Sequence, residues 1–224
     1  RSMLCAYRSG LGGASSGPLS TFGVNLINMK ARGYQMTARA ASTARTAEAI
    51  LAATIELFED KPVADITLAD IAARAGVTVQ TVLRRFGDKD GVFDAAIEQF
   101  ASEVFGQRGA AVGLGAREAI TNLADHYEQW GALMLKMLAE EPRTPGLRTT
   151  LDAGRTYHRN WCRDVFADAL AGLPAARRSR RLAQICCICD LRTWENLRLT
   201  AGLSRAQTEL AVYEMLRPLI TKEP

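Results

Sequence analysis

The run from Ile66 to Phe86, Ile-Thr-Leu-Ala-Asp-Ile-Ala-Ala-Arg-Ala-Gly-Val-Thr-Val-Gln-Thr-Val-Leu-Arg-Arg-Phe, leaves this chain few ways to fold locally. Thr67 can N-cap a short helix, with Asp70 at N3 in a Thr-x-x-Asp version of the capping box. Ile66 before the cap and Ile71 at N4 supply a hydrophobic staple. The same grammar repeats at once, with Thr78 as cap and Val77 and Val82 as staple. Gly76 lies between, where a left-handed residue ends one helix and turns the chain. Two short helices joined by a tight turn make a helix-turn-helix, a unit that can lay its second helix in a DNA major groove.

Periodicity assigns the faces. Leu68, Ile71, Ala72 and Ala75 recur at i, i+3, i+4, i+7 and are expected inside. On the second helix Val79, Val82 and Phe86 form the apolar stripe, and Gln80, Thr81, Arg84 and Arg85 take the other side. Gln pairs bidentately with adenine, Arg with guanine, and Thr offers a hydroxyl or a methyl. The pattern also fits an ordinary helical hairpin with a solvated basic face.

The flanks bear on that choice. Ile50, Leu51, Thr54, Leu57 and Phe58 make an amphipathic helix ending near Glu59-Asp60-Lys61-Pro62, and Phe86-Gly-Asp-Lys-Asp-Gly-Val-Phe93 starts another. This order resembles the TetR family of bacterial transcriptional regulators over about residues 45 to 97. The shared pattern is a first helix ending in Leu-Phe, then Ile-Thr-Leu-x-x-Ile-Ala-x-x-Ala-Gly-Val, then Phe-x-x-Lys-x-x-x-Phe. Gln80 and Leu83 stand where that family usually has Gly and Tyr, the Tyr commonly touching a phosphate. Lys89 matches the family's phosphate-contacting lysine, and a lysine in the first turn of a helix adds charge beside free N–H groups. The expected DNA-contacting set is Arg45, Thr46, Thr67, Thr78, Val79, Gln80, Thr81, Leu83, Arg84, Arg85 and Lys89.

Composition fits an all-α chain. The 224 residues are 48% hydrophobic, enough for a three-helix DNA-binding domain over 45–89 and a larger helical bundle over 90–224. Strand signals are scarce, while alanine, leucine and arginine favour helix. No apolar run approaches the roughly 20 residues that span a bilayer. No secretory signal opens the sequence, and a cytoplasmic, DNA-bound protein without membrane contact is expected. The net charge of +4 is unevenly spread. Residues 1–44 hold Arg1, Arg8, Lys30, Arg32 and Arg39 with no acid, whereas 45–105 hold eleven Asp and Glu against six Lys and Arg. DNA binding must then rest on where Arg45, Arg84, Arg85 and Lys89 are placed. Residues 1–44, with Gly10-Leu-Gly-Gly-Ala-Ser-Ser-Gly-Pro18, read as a disordered basic extension; an arm from Lys30 to Arg45 along the minor groove is the other reading.

Helices are expected at about 89–107, 115–140, 144–171, 175–200 and 204–220, with Glu141-Pro-Arg-Thr-Pro145 and Leu173-Pro174 as breaks. His126, Tyr127, Trp130 and Met134 recur at helical spacing, as do Tyr157, His158, Trp161 and Phe166 on the next long helix. With Phe93, Ile97 and Phe100 they are candidates to line a cavity for a small apolar or amphipathic effector. Plain core packing explains the same stripes. The resemblance implies such an effector pocket, and also a homodimer on a double-stranded, near-palindromic DNA operator, built from the last two helices. Cys186, Cys189, Thr193, Trp194, Leu197, Leu210, Tyr213 and Leu216 are the candidates for that interface.

Cys186, Cys187 and Cys189 cluster, and a thiol- or metal-responsive switch is an alternative; no flanking pattern supplies a full zinc set. No Gly-rich phosphate loop, His-Glu-x-x-His or Gly-x-Ser-x-Gly occurs, so neither an enzyme nor a cofactor is expected. A helical small-molecule-binding protein that no longer uses DNA is the remaining alternative.

Overall fold

The computed structural model describes the backbone of residues 21–221 and side chains from residue 40. Every regular element among the described residues is helical. In chain order these are α1 (Thr21–Asp60), α2 (Leu68–Arg74), α3 (Val79–Phe86), α4 (Lys89–Gly109), α5 (Ala116–Glu140) and α6 (Pro145–Val165). The short α7 (Ala167–Leu170), then α8 (Ala175–Ile188), α9 (Leu191–Trp194) and α10 (Arg205–Ile220) complete the set. A 3₁₀ turn, Val63–Asp65, precedes α2, and a π turn, Glu195–Thr200, continues α9. The chain divides into two units at Arg45, and the second, from Thr46 on, holds both cores.

Capping explains why α2 and α3 form despite their length. The Thr67 hydroxyl accepts from Asp70 N, and the Asp70 carboxylate accepts from Thr67 N at 2.9 Å, a complete capping box. The Lys61 ammonium donates to the same carboxylate at 2.8 Å; that bond, with those from Thr67, holds the Asp70 carboxyl down to about 2. Gly76, at φ 67°, closes α2 in a Schellman motif. There Val77 N reaches Ala72 O at 2.9 Å and Gly76 N reaches Ala73 O at 3.3 Å.

The first core gathers Ile50 and Phe58 of α1, Ile66 and Ile71, Val82 of α3, and Phe93, Ile97 and Val104 of α4. Phe58 and Phe93 meet edge to face at 5.3 Å. Leu133 and Met137 of α5 and Leu147 of α6 close it, so the core runs past residue 90 into the bundle. The second core is built from α5, α6 and α8 to α10, around Leu123, Tyr127, Trp161, Ile185, Trp194 and Leu216. Gly131 lets α5 and α9 approach: a Cβ there would lie 2.7 Å from the Trp194 ring.

Three boundary expectations are corrected. The disordered extension expected over 1–44 holds helix from Thr21 on, where alanine and other helix formers predominate; residues 1–20 lie outside the described residues. The helix expected over 144–171 breaks at Phe166, which leaves helical geometry at φ −105° and ψ 31°. The helix expected over 175–200 breaks at Cys189 and Asp190, because the Asp190 carboxylate caps a new helix by accepting from Arg192 N at 2.9 Å. An aspartate at a cap satisfies free N–H groups that a continuous helix would not present.

Candidate nucleic-acid interface and cavity

α3 turns its polar side to solvent. Thr78 caps it by accepting from Thr81 N at 3.2 Å, and the two hydroxyls share a hydrogen bond at 2.9 Å. Gln80 and Arg84 are exposed, Thr81, Leu83 and Arg85 half-buried, and Arg84 has no ion-pair partner among the described residues. Val82 is fully buried beneath them, which fixes the rotation of the helix. Val79 departs from its expected place in the apolar stripe: it is 37% exposed, because the stripe narrows at the helix start. Arg45 is exposed, Thr46 half-buried and Thr67 exposed at the α2 cap.

Lys89 has an intramolecular role that sequence reading missed. Its ammonium donates to Val63 O at 2.6 Å and Ala64 O at 3.3 Å, fastening the 3₁₀ turn to the start of α4. Asp88 caps α4 by accepting from Gly91 N at 2.8 Å. Gly91 is required there, since a Cβ would collide with the Phe86 carbonyl oxygen.

A cavity of ≈ 340 Å³ opens among α4, α5, α6, α8 and α9. Of the residues expected to line a pocket, Tyr127, Met134 and His158 do so, joined by Arg108, Leu138, Leu151, Arg155, Arg159, Cys186, Asp190 and Leu191. The remainder sit elsewhere. Phe93 and Ile97 are first-core residues, while Phe100 and Trp130 line a separate groove of ≈ 280 Å³ against α1. Tyr157 stacks on Phe105 at 4.2 Å and donates to its carbonyl at 2.8 Å. Trp161 and Phe166 belong to the second core.

The cavity's inner wall is polar in an unusual way. Arg108 is only 3% exposed, and its guanidinium lies 4.2 Å from the Trp161 ring centre. Its Nη1 donates to His158 Nδ1 at 3.3 Å, while Nε and Nη2 have no partner. Because arginine only donates, Nδ1 must carry the lone pair, so His158 Nε2–H donates to Cys186 O at 3.0 Å. Burial, then the Arg108 charge, lower the His158 pKa. His126, expected to line a pocket, lies off the cavity wall, fully buried beside Tyr127 and Trp130, and has no partner at either ring nitrogen. Burial, with Arg108 and His158 nearby, holds its pKa down to about 3. Arg108 was missed in the sequence, though one signal was there. It occupies an apolar slot in the α4 series Phe93, Ile97, Phe100, Val104, Arg108.

The cysteines divide. Cys187 is exposed, whereas the ligand atoms of His158, Cys162 and Cys186 lie within 4.8 Å of one another. Both His158 nitrogens are already engaged, and ligation through Nε2 would turn an Nδ1–H against the guanidinium. Contact with Cys186 lowers the Cys162 pKa, but contact with Cys189 and burial outweigh it and push the thiol up. Contact with Cys162 and burial push the Cys186 thiol up too. Protonated thiols are poor nucleophiles, which weighs against redox sensing.

Among the residues expected at a dimer interface, Cys189, Trp194 and Leu216 are buried by their own chain. The break at Asp190 turns Cys189 and Trp194 inward: Tyr127 donates to Cys189 O at 2.9 Å, and Trp194 Nε1 to Glu128 at 3.3 Å. Cys186, Thr193, Leu197 and Tyr213 are half-buried, Tyr213 beneath the Arg117 guanidinium at 3.9 Å. Leu210 is 50% exposed, and Leu199 and Met215 add apolar surface nearby in sequence.

Comparison with known proteins agrees with this fold. Residues 50–96 match the family described as bacterial regulatory proteins, tetR family. The HTH-type transcriptional regulator BetI of Stenotrophomonas maltophilia is 39% identical over 57 residues, 25% of this chain and 29% of that protein. The match thus spans under a third of that relative. A TetR-family regulator structure from Mesorhizobium loti superposes with a TM-score of 0.59 at 17% identity, covering 79% of this chain and 96% of the other. A transcriptional regulator from Saccharomonospora viridis, in complex with choline, gives 0.58 at 18% identity, covering 81% and 100%. No helix of the described residues is long and apolar enough to cross a membrane. The helix-turn-helix at residues 50–96 thus matches the tetR family of bacterial regulatory proteins, and the helical fold around it is similar to that of solved regulators.

Proposed function

We propose that the chain is a ligand-responsive transcriptional repressor that binds a near-palindromic DNA operator as a homodimer. The observation that carries this reading is α3: rigidly capped, buried at Val82, and offering Thr78, Gln80 and Arg84 to solvent. Arg45, Thr46, Thr67, Val79, Thr81, Leu83, Arg85 and Lys89 complete the proposed contact surface. One recognition helix covers a few base pairs, so a two-fold dimer reads half-sites about one turn apart, ~34–36 Å. The exposed Leu199, Leu210 and Met215 supply apolar surface for the twin.

α4 links reading to sensing. It has 21 residues, roughly 30 Å, with Lys89 clamping the turn before α2 at one end and Arg108 on the cavity at the other. An effector that shifts α4 displaces α3. Lowering operator occupancy 100-fold takes a preference of about 2.7 kcal/mol for the other conformation. The choline held by the Saccharomonospora viridis regulator transfers poorly, because a quaternary ammonium here would face Arg108.

The test is binding to labelled DNA from the intergenic region beside the gene, at physiological salt with excess random competitor. Sequence-selective binding by two chains is expected. Arg84→Ala should cost about 1–3 kcal/mol and relax one operator position. Equal affinity for operator and random DNA in the unaltered protein would overturn the reading.

A further inference from the structure

A buried guanidinium without a counter-charge is costly: even after relaxation the desolvation penalty is several kcal/mol. Arg108 is 97% covered by its fractional exposure of 3%, yet it enters no ion pair among the described residues. Its compensation is one bond to a neutral imidazole and the face of Trp161, which leaves Nε and Nη2 without acceptors. A cation–π contact of this kind offsets only part of that penalty. These two nitrogens are covered as the side chain lies, and turned toward the cavity they make a fork that fits a carboxylate, which arginine binds through two parallel N–H bonds.

The rest of the cavity agrees. Arg155 and Arg159 also line it, and the single acid on its wall, Asp190, is committed to capping α9. Arg155 is itself paired with Glu141 and Asp152, and Arg159 is exposed to solvent, so Arg108 is the inner cation left unmatched. Met134, Leu138, Leu151 and Leu191 give an apolar wall opposite this charge. We propose that the cavity binds a monocarboxylate with an apolar body, its carboxylate seated on Arg108. This names the effector class of the regulator proposed above; it rests on that reading only for the consequence on DNA.

Calorimetry on the full chain tests it with octanoate, octanol and octyltrimethylammonium as probes. Octanoate should bind saturably. Octanol should bind about 10- to 100-fold more weakly, the value of a charge-assisted bond, and the ammonium not at all. Arg108→Met should lose octanoate while melting, without ligand, at or above the unaltered protein, since an unpaired buried charge has been removed. If that variant does not fold, Arg108→Lys serves: it keeps the charge but not the fork, and should weaken octanoate binding while leaving octanol binding unchanged. Equal binding of octanoate and octanol, no octanoate binding, or undiminished octanoate binding by Arg108→Met or Arg108→Lys would each overturn the proposal. These readouts need no DNA. Carboxylate binding without an operator would remove the regulator alone, and operator binding without carboxylate binding would remove this inference alone.

Discussion

The two cores of this chain are made of similar helices but solve different problems. The first is largely apolar, and its polar groups are mostly matched: Thr54 to Ile50 O, Lys89 to Val63 O, Val63 N to Glu140, Lys136 to Glu59 O, with Arg85 Nε the exception. The second encloses Arg108, His126 and His158, and leaves four of their nitrogens without partners. Interiors normally leave few such groups, because each costs about 1–3 kcal/mol. A matched core holds one geometry, as the groove-reading role proposed for α3 requires. The unmatched Arg108 on the cavity wall is the group that the proposed ligand would satisfy.

The contrast can be broken by substitution. Phe58→Ala removes a fully buried ring from the matched core and should cost about 3–5 kcal/mol in urea unfolding. A loss near 1 kcal/mol would show that this core relaxes easily and does not fix α3. Gly131→Ala drives a methyl into Trp194 where α5 meets α9, and about 1–3 kcal/mol is expected by the same measurement. Thr67→Ala deletes the α2 cap and should cost about 1 kcal/mol, with a matching fall in DNA affinity if α2 supports α3.

The smallest effect at pH 7 is the most informative about the second core. His126→Leu leaves no hydrogen bond unmade, so unfolding should change by no more than about 1 kcal/mol. Its pH dependence should change visibly. The folded pKa of about 3 lies below the ordinary 6.5, so on acidification the unfolded chain takes up a proton that the folded one refuses. Stability is therefore lost as pH falls below 6.5, by up to about 1.4 kcal/mol per unit from this residue. The variant should flatten that slope when unfolding is followed between pH 7 and 5. An unchanged slope would mean that His126 has found a partner in solution.

Reading the sequence was most successful where interactions are local. Both caps, the left-handed Gly76 and the outward Gln80 and Arg84 are set by residues within a few positions of one another. Lys89 shows where locality fails. Its partners at Val63 and Ala64 are over 20 residues away, so charge and position pointed to an anion, while the fold also gave it two carbonyls. In the bundle, helical spacing identified stripes but could not say which stripe faced which neighbour. Tyr127, Met134 and His158 reached the cavity, whereas Trp161 and Phe166 joined the core.

The sequence by itself determined the helical class, the helix-turn-helix and its outward face, because capping, periodicity and turn chemistry act within one or two turns of chain. The tertiary structure decided the burial of Arg108, the tautomer of His158, the inward turn of Cys189 and Trp194, and the position of the cavity. Each of these depends on the packing of helices far apart in sequence, where burial and a partner's lone pair, rather than residue type, set the chemistry.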